Sequence, residues 1–156
     1  MSKPPAVFLD SSVILAAAIS TTGASHAIIV LAEIGFIRPL VSSQVLEEVE
    51  RNLKAKAPRA LPYFDQLAAA LNWEIAPEPT AEAIAACARA SAPKDAPILA
   101  AAMAVKPARL LTLDAKHLNT PEAKAISKLA IQSPAEFVEE MRAILAAAYG
   151  PTEKGD

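Results

Sequence analysis

The chain has 156 residues, 53% of them hydrophobic, and a formal net charge of −2 with a pI near 5.7. That length suits one compact domain that buries a core without staples, and the slight acidity excludes nucleic-acid binding through overall positive charge. The mean hydropathy is +0.29, yet the longest unbroken apolar run, Ile98–Val105, has eight residues, against the roughly 18 that a membrane-spanning helix needs. No basic N-terminal stretch leads into a long apolar segment and cleavage site, so the expectation is a soluble, cytoplasmic protein with no membrane contact. The single cysteine, Cys87, rules out an internal disulfide and, in an alanine-rich helical stretch, reads as a small core residue.

Ala6–Asp10 (AVFLD) is a short apolar run ending on an acid and predicts a buried strand. Ser11–Ser20 reads as a helix, Thr21–Ala24 as a break, and Ser25–Ile34 as a second helix stopped by Gly35. Phe36–Ser42 predicts the second strand, irregular or at a sheet edge because of Pro39. Ser43–Lys56 and Arg59–Leu71 are helical, and Asn72–Ala76 is a short strand closed by Pro77 and Pro79. Thr80–Ala90 and Asp95–Val105 are helices, and Arg109–Asp114 (RLLTLD) is a strand. Ala115–Ser127 is helical at least in part, with Thr120-Pro121 offering an N-cap and a first-turn proline. Leu129–Gln132 is the last strand. The final helix opens on Ser133-Pro134-Ala135-Glu136, a capping box, and runs to Tyr149 before Gly150-Pro151. Residues 151–156 are expected to form a disordered polar tail, leaving 1–150 as a single domain. Strands alternating with helices predict an α/β fold whose parallel sheet is covered on both faces.

In such a sheet, ligands bind beyond the carboxyl ends of the strands. Asp10 and Asp114 end predicted strands, Asp95 opens the helix before the second of them, and Glu48 lies one turn into the helix after the second strand. Each has a plain alternative. Asp10 and Asp95 suit N-caps, Asp114 suits a cap of the segment after it, and Glu48 suits a solvated helix face. In that helix Val45, Leu46, Val49 and Leu53 form an apolar stripe; Glu47 points away from it, while Glu48 and Glu50 flank it on opposite sides. Periodicity does not choose between those two. Together, the acids would crowd at one sheet edge, and crowded carboxylates call for a cation. All-oxygen ligation suits Mg²⁺ or Mn²⁺ rather than structural zinc, and His26 and His117 are too far apart in sequence to form a metal-binding helical pair.

FLDSSVILAA, VSSQVLEEVERNL, KDAPILAAAMA and LLTLDAKHL occur in that order. This set resembles the PIN-domain family over roughly residues 5 to 137. The resemblance implies a three-layer α/β/α fold with a central twisted parallel sheet of four or five strands. Its register maps the family's acids onto Asp10, Glu48, Asp95 and Asp114, which selects Glu48 over Glu50. The implied activity is cleavage of single-stranded RNA with Mg²⁺ or Mn²⁺. Many bacterial and archaeal members are VapC-like toxins of toxin–antitoxin pairs that dimerise, so the implied partners are RNA, a small antitoxin and a second copy. This chain departs from the family at Ser12, where many members carry Asn, and at Lys94, where an acid is common.

On that reading Asp10, Asp95 and Asp114 hold the metal, directly or through water. Glu48 holds a second ion or orients the attacking water. Ser12 and Thr112 support the ligands, and Lys94 touches phosphate or offsets negative charge. Lys54, Lys56, Arg59, Lys116 and His117 are candidates for RNA backbone contacts, each equally well read as a solvated residue. The apolar first two helices offer a dimer surface or simply core. A haloacid-dehalogenase-type phosphohydrolase would need an acid where Ser12 stands, and the four scattered glycines form no phosphate-binding loop. The remaining alternative is a catalytically inactive PIN-like scaffold that binds RNA or protein.

Overall fold

Val7, Phe8 and Leu9 are fully buried, which requires cover on both faces of their strand. In the computed structural model, which describes residues 3–150, that strand is β1 (Ala6–Leu9). With β2 (Arg38–Val41), β3 (Glu74–Ile75), β4 (Arg109–Leu111) and β5 (Ile131–Gln132) it forms one parallel sheet in the order β3-β2-β1-β4-β5. The first two connections run outward from β1 to β2 and β3. The chain then crosses back to β4, so β1 and β4 flank the point where the strand order reverses.

The helices are α1 (Ser11–Ile19), α2 (Ala24–Glu33), α3 (Ser43–Lys56), α4 (Leu61–Ala70), α5 (Ala81–Cys87), α6 (Ala96–Val105), α7 (Pro121–Ser127) and α8 (Pro134–Tyr149). α1 packs on α2, α3 and α4, and α2 packs on α8; α5, α6 and α7 pack on one another. These two sets are the outer layers of the three-layer α/β/α fold. α3 also meets α6, which brings Glu48 and Asp95 to the same edge. Ala96, Ala100, Ala101 and Ala102 of α6 are buried, and their small side chains let that helix sit close to its neighbours. Cys87 is buried with its Sγ 3.5 Å from Met103 Sδ. Burial pushes its thiol pKa up, which suits a core residue and not a nucleophile.

Local signals explain the element ends. Ser133 and Glu136 form the expected capping box, with reciprocal bonds of 3.0 and 3.1 Å. Thr120 caps α7 through Ala123 N–H, and Ser42 caps α3 through Val45 N–H. Gln132 and Arg109 both donate to Glu140, which ties α8 to the far end of the sheet. No single helix among the described residues is long and apolar enough to cross a membrane.

Three expectations change. Pro39 lies in an interior strand, not at an edge. Arg38 N–H turns toward β1, bonding Pro5 O, so by alternation the missing Pro39 donor faces the β3 side. β3 begins only at Glu74, paired with Leu40, so no ladder bond is lost there. The strand from Arg109 stops at Leu111 rather than Asp114, because Leu113 and Asp114 N–H groups turn to the hydroxyls of Ser12 and Thr112. The helix expected from Arg59 opens as a 3₁₀ turn at Pro58–Ala60 before α4. The segment after Asp114 is helical in part, as expected, over Pro121–Ser127. The proposed disordered tail at 151–156 lies outside the described residues.

Candidate metal centre

Asp10 directly follows β1, and its N–H still bonds Leu111 O of β4 at 3.0 Å. Its side chain does not cap α1. Instead, Oδ2 accepts from Ser12 Oγ and Thr112 Oγ1, each at 2.7 Å. Those hydroxyls accept in turn from Leu113 N–H and Asp114 N–H, both at 3.0 Å. Each hydroxyl therefore has its hydrogen committed to Asp10 and a lone pair committed to backbone. That ties the ends of β1 and β4 together and fixes a carboxylate that is 4% exposed. Ser12 and Thr112 thus act on Asp10.

Asp95 precedes α6, and the capping explanation fails for it as well: its side chain makes no cap bond. It is 7% exposed, and its Oδ2 is buried without a hydrogen-bond partner among the described residues. An ionised carboxylate oxygen in that state is costly. Burial, then the charges of Asp10, Asp114 and Glu48, push its pKa from 3.8 up to about 6, against a smaller opposing pull from Lys94. Asp10, Asp114 and Glu48, each from a separate segment, thus lie within electrostatic reach of Asp95. The exposed Lys94 ammonium offsets part of their charge, and its backbone O accepts from Gln44 Nε2 at 3.4 Å.

Asp114 fills the capping role anticipated for it. Its Oδ1 caps the following turn, accepting from Lys116 N–H at 3.0 Å and His117 N–H at 2.9 Å. Burial raises its pKa, but those backbone donors and the His117 ring together outweigh that and hold it low. Its Oδ2 lies 3.4 Å from His117 Nδ1. Glu48 is half-buried and accepts from Ser11 Oγ at 2.8 Å through Oε2, with Gln44 Nε2 at 3.5 Å from Oε1. Glu50 is exposed and pairs with Lys54 at 3.0 Å. Packing of α3 on α1 resolves what helical periodicity left open: Glu48 faces the cluster.

A family model described as PIN domain matches residues 6–116. The chain belongs to the PIN-domain family. Comparison with curated proteins gives no match. Among solved structures, this PIN domain is similar in fold to a chain of VapBC2 from Rickettsia felis, described as bound to a DNA fragment from their promoter. The TM-score is 0.59 at 17% identity, covering 82% of this chain and 98% of that one. It is likewise similar to a chain of VapBC-1 from nontypeable Haemophilus influenzae, with TM-score 0.58 at 16% identity, covering 83% of this chain and 98% of that one.

The PIN-domain match covers the segments that carry all four acids. Beside them lie residues that sequence reasoning did not assign to the cluster. Ser11 and Gln44 position Glu48; the signal available for Gln44 was its place four residues earlier on the same helix. His117 was assigned only to RNA contact, yet one ligand atom each of Asp95, Asp114 and His117 lie within 4.8 Å of one another. Its signal was the three-residue spacing after Asp114. Arg89, Lys116 and His117, together with Glu122, line a groove of about 340 Å³, whereas Lys54 is engaged by Glu50. The donor set fits a hard divalent cation. A buried, unpartnered carboxylate oxygen faces like charges that only positive charge or protonation can relieve.

Proposed function

We propose that this PIN domain is a Mg²⁺- or Mn²⁺-dependent endoribonuclease that hydrolyses phosphodiester bonds of single-stranded RNA. The observation that carries the reading is the buried, unpartnered Asp95 Oδ2 amid three further carboxylates. Without a counter-charge such a pit repels a phosphodiester. A bound divalent ion supplies that counter-charge, lowers the pKa of water and offsets charge developing on the transferring phosphoryl group.

The chain's own residues set up that chemistry. Ser12 and Thr112 hold Asp10 in one orientation, and both bonds fall on Oδ2, so Oδ1 carries no hydrogen bond from described residues. Asp95, Asp114 and Asp10 are the assigned metal ligands. Glu48, anchored by Ser11, is assigned to a second ion or to orienting the attacking water. Arg89 and Lys116 are suited to the RNA backbone leaving the site, through charge rather than base readout.

The biological setting we assign is that of a toxin with a small antitoxin partner, acting in the cytoplasm. The fold similarity to chains of two VapBC assemblies supports it. Dimerisation belongs to the same reading, motivated by the exposed Ile34 and Phe36 just after α2.

Single-stranded RNA incubated with the purified protein and Mg²⁺ or Mn²⁺ should be cut. Chelation, Asp10→Asn and Asp95→Asn should each abolish cutting. Equal cleavage by all three proteins would signal a contaminating nuclease and overturn the assignment. RNA binding without cleavage under any metal would favour the scaffold. Expression should arrest growth in a way Asp10→Asn relieves; wild-type expression with no growth defect would count against the toxin role.

A further inference from the structure

One donor in this pit is not an oxygen. His117 Nδ1 sits 3.4 Å from Asp114 Oδ2, and ligand atoms of His117, Asp114 and Asp95 all fall within 4.8 Å of one another. Asp95 is more than nine-tenths buried, and its Oδ2 lacks any partner among the described residues. The three groups therefore converge with a donor oxygen unused. His117 is held near them by its backbone, since its N–H bonds Asp114 Oδ1 at 2.9 Å and the turn is closed by Leu118 and Asn119 N–H on Asp114 O. Its ring is half-exposed, so no core packing requires a histidine here.

We propose that His117 is a protein ligand alongside Asp95 and Asp114, and that the centre therefore takes a first-row transition ion such as Mn²⁺ in preference to Mg²⁺. This rests on the cation-dependent reading above and selects between the two ions it leaves open. Mg²⁺ prefers oxygen donors, dehydrates reluctantly and gains little from a nitrogen. Imidazole suits first-row transition ions, and a mixed nitrogen and oxygen set separates them from Mg²⁺ by ligand type rather than by charge. Were His117 only a charge partner of Asp114, it would serve both ions alike.

The test is calorimetric titration of metal-free wild type and His117→Ala with Mn²⁺ and with Mg²⁺, joined to pulsed electron paramagnetic resonance of the Mn²⁺-loaded proteins. His117→Ala should weaken Mn²⁺ binding by about tenfold or more while changing Mg²⁺ binding by less than about twofold. The Mn²⁺ spin echo should carry imidazole-nitrogen modulation in wild type and lose it in the variant. Equal weakening of both ions, or no weakening of either, overturns the inference, as does a wild-type echo without nitrogen modulation. Wild type that binds neither ion overturns this inference and the cation-dependent reading together. Tight binding of both ions independent of His117 overturns this inference alone.

Discussion

Replacing Asp95 with asparagine should stabilise the metal-free protein at neutral pH while destroying its function. Asp95 has a proton affinity raised from 3.8 to about 6 in the folded state. The folded state therefore binds more protons than the unfolded chain between those values, and stability falls as pH rises through that window. It is fully present below 3.8 and lost once the pH passes about 6. At about 1.4 kcal/mol for each tenfold change in proton affinity, the loss approaches about 3 kcal/mol. The asparagine side chain carries no charge, and its amide can donate to the neighbouring carboxylates. The variant should recover about 1–3 kcal/mol at pH 7, a rise in Tm of roughly 2–4 °C per kcal/mol for a chain of this size. The assay is urea denaturation of both proteins in EDTA at intervals from pH 4 to 8. The difference should open between pH 4 and 6 and then level off. A variant less stable than wild type at pH 7, or a difference that ignores pH, would refute the claim that the cluster is an electrostatically loaded pit.

Adding Mn²⁺ or Mg²⁺ at about 100 times its Kd should stabilise wild type by about 2.7 kcal/mol, and a thermal melt should show this shift largely absent from Asp95→Asn. Thr112→Val keeps the shape but removes a donor to the buried Asp10 carboxylate. It should cost about 1.5–3 kcal/mol in urea melts and slow RNA cleavage, and unchanged values of both would remove Thr112 from the site. Ser133→Ala breaks the capping box that opens α8, and stability should fall by about 1 kcal/mol in the same urea melts. Leu99→Ala, at a fully buried position of α6, should cost about 2–5 kcal/mol, measured by the same denaturation.

The parallel sheet was legible chiefly from its central strands, where β1 is a continuous apolar run and β2 and β4 turn apolar and buried after their opening arginines. Caps were legible where the signal was local, as at Ser133 and Thr120. Pro39 was misjudged because its tolerance depends on where a neighbouring strand begins, a fact of tertiary structure. The end of β4 was misjudged for a related reason: the hydroxyls that capture Leu113 and Asp114 belong to Ser12 and Thr112, and Ser12 lies about a hundred residues away in sequence. Strand-end logic pointed to Asp10 and Asp114, and family resemblance chose Glu48. The choice between Glu48 and Glu50 became physical only when α1 brought Ser11 against Glu48. His117 escaped because its one local signal, the three-residue spacing after Asp114, does not by itself mark a metal ligand, and its neighbour Asp95 comes from a distant segment.

The most direct measurement is anomalous diffraction from crystals of the wild-type protein soaked in Mn²⁺. An anomalous peak bounded by Asp95 Oδ2, Asp114 Oδ2 and Asp10, absent from Asp95→Asn crystals, is the predicted result. Ordered crystals with no peak among these acids, combined with RNA cleavage that persists in EDTA, would contradict a cation-dependent centre here.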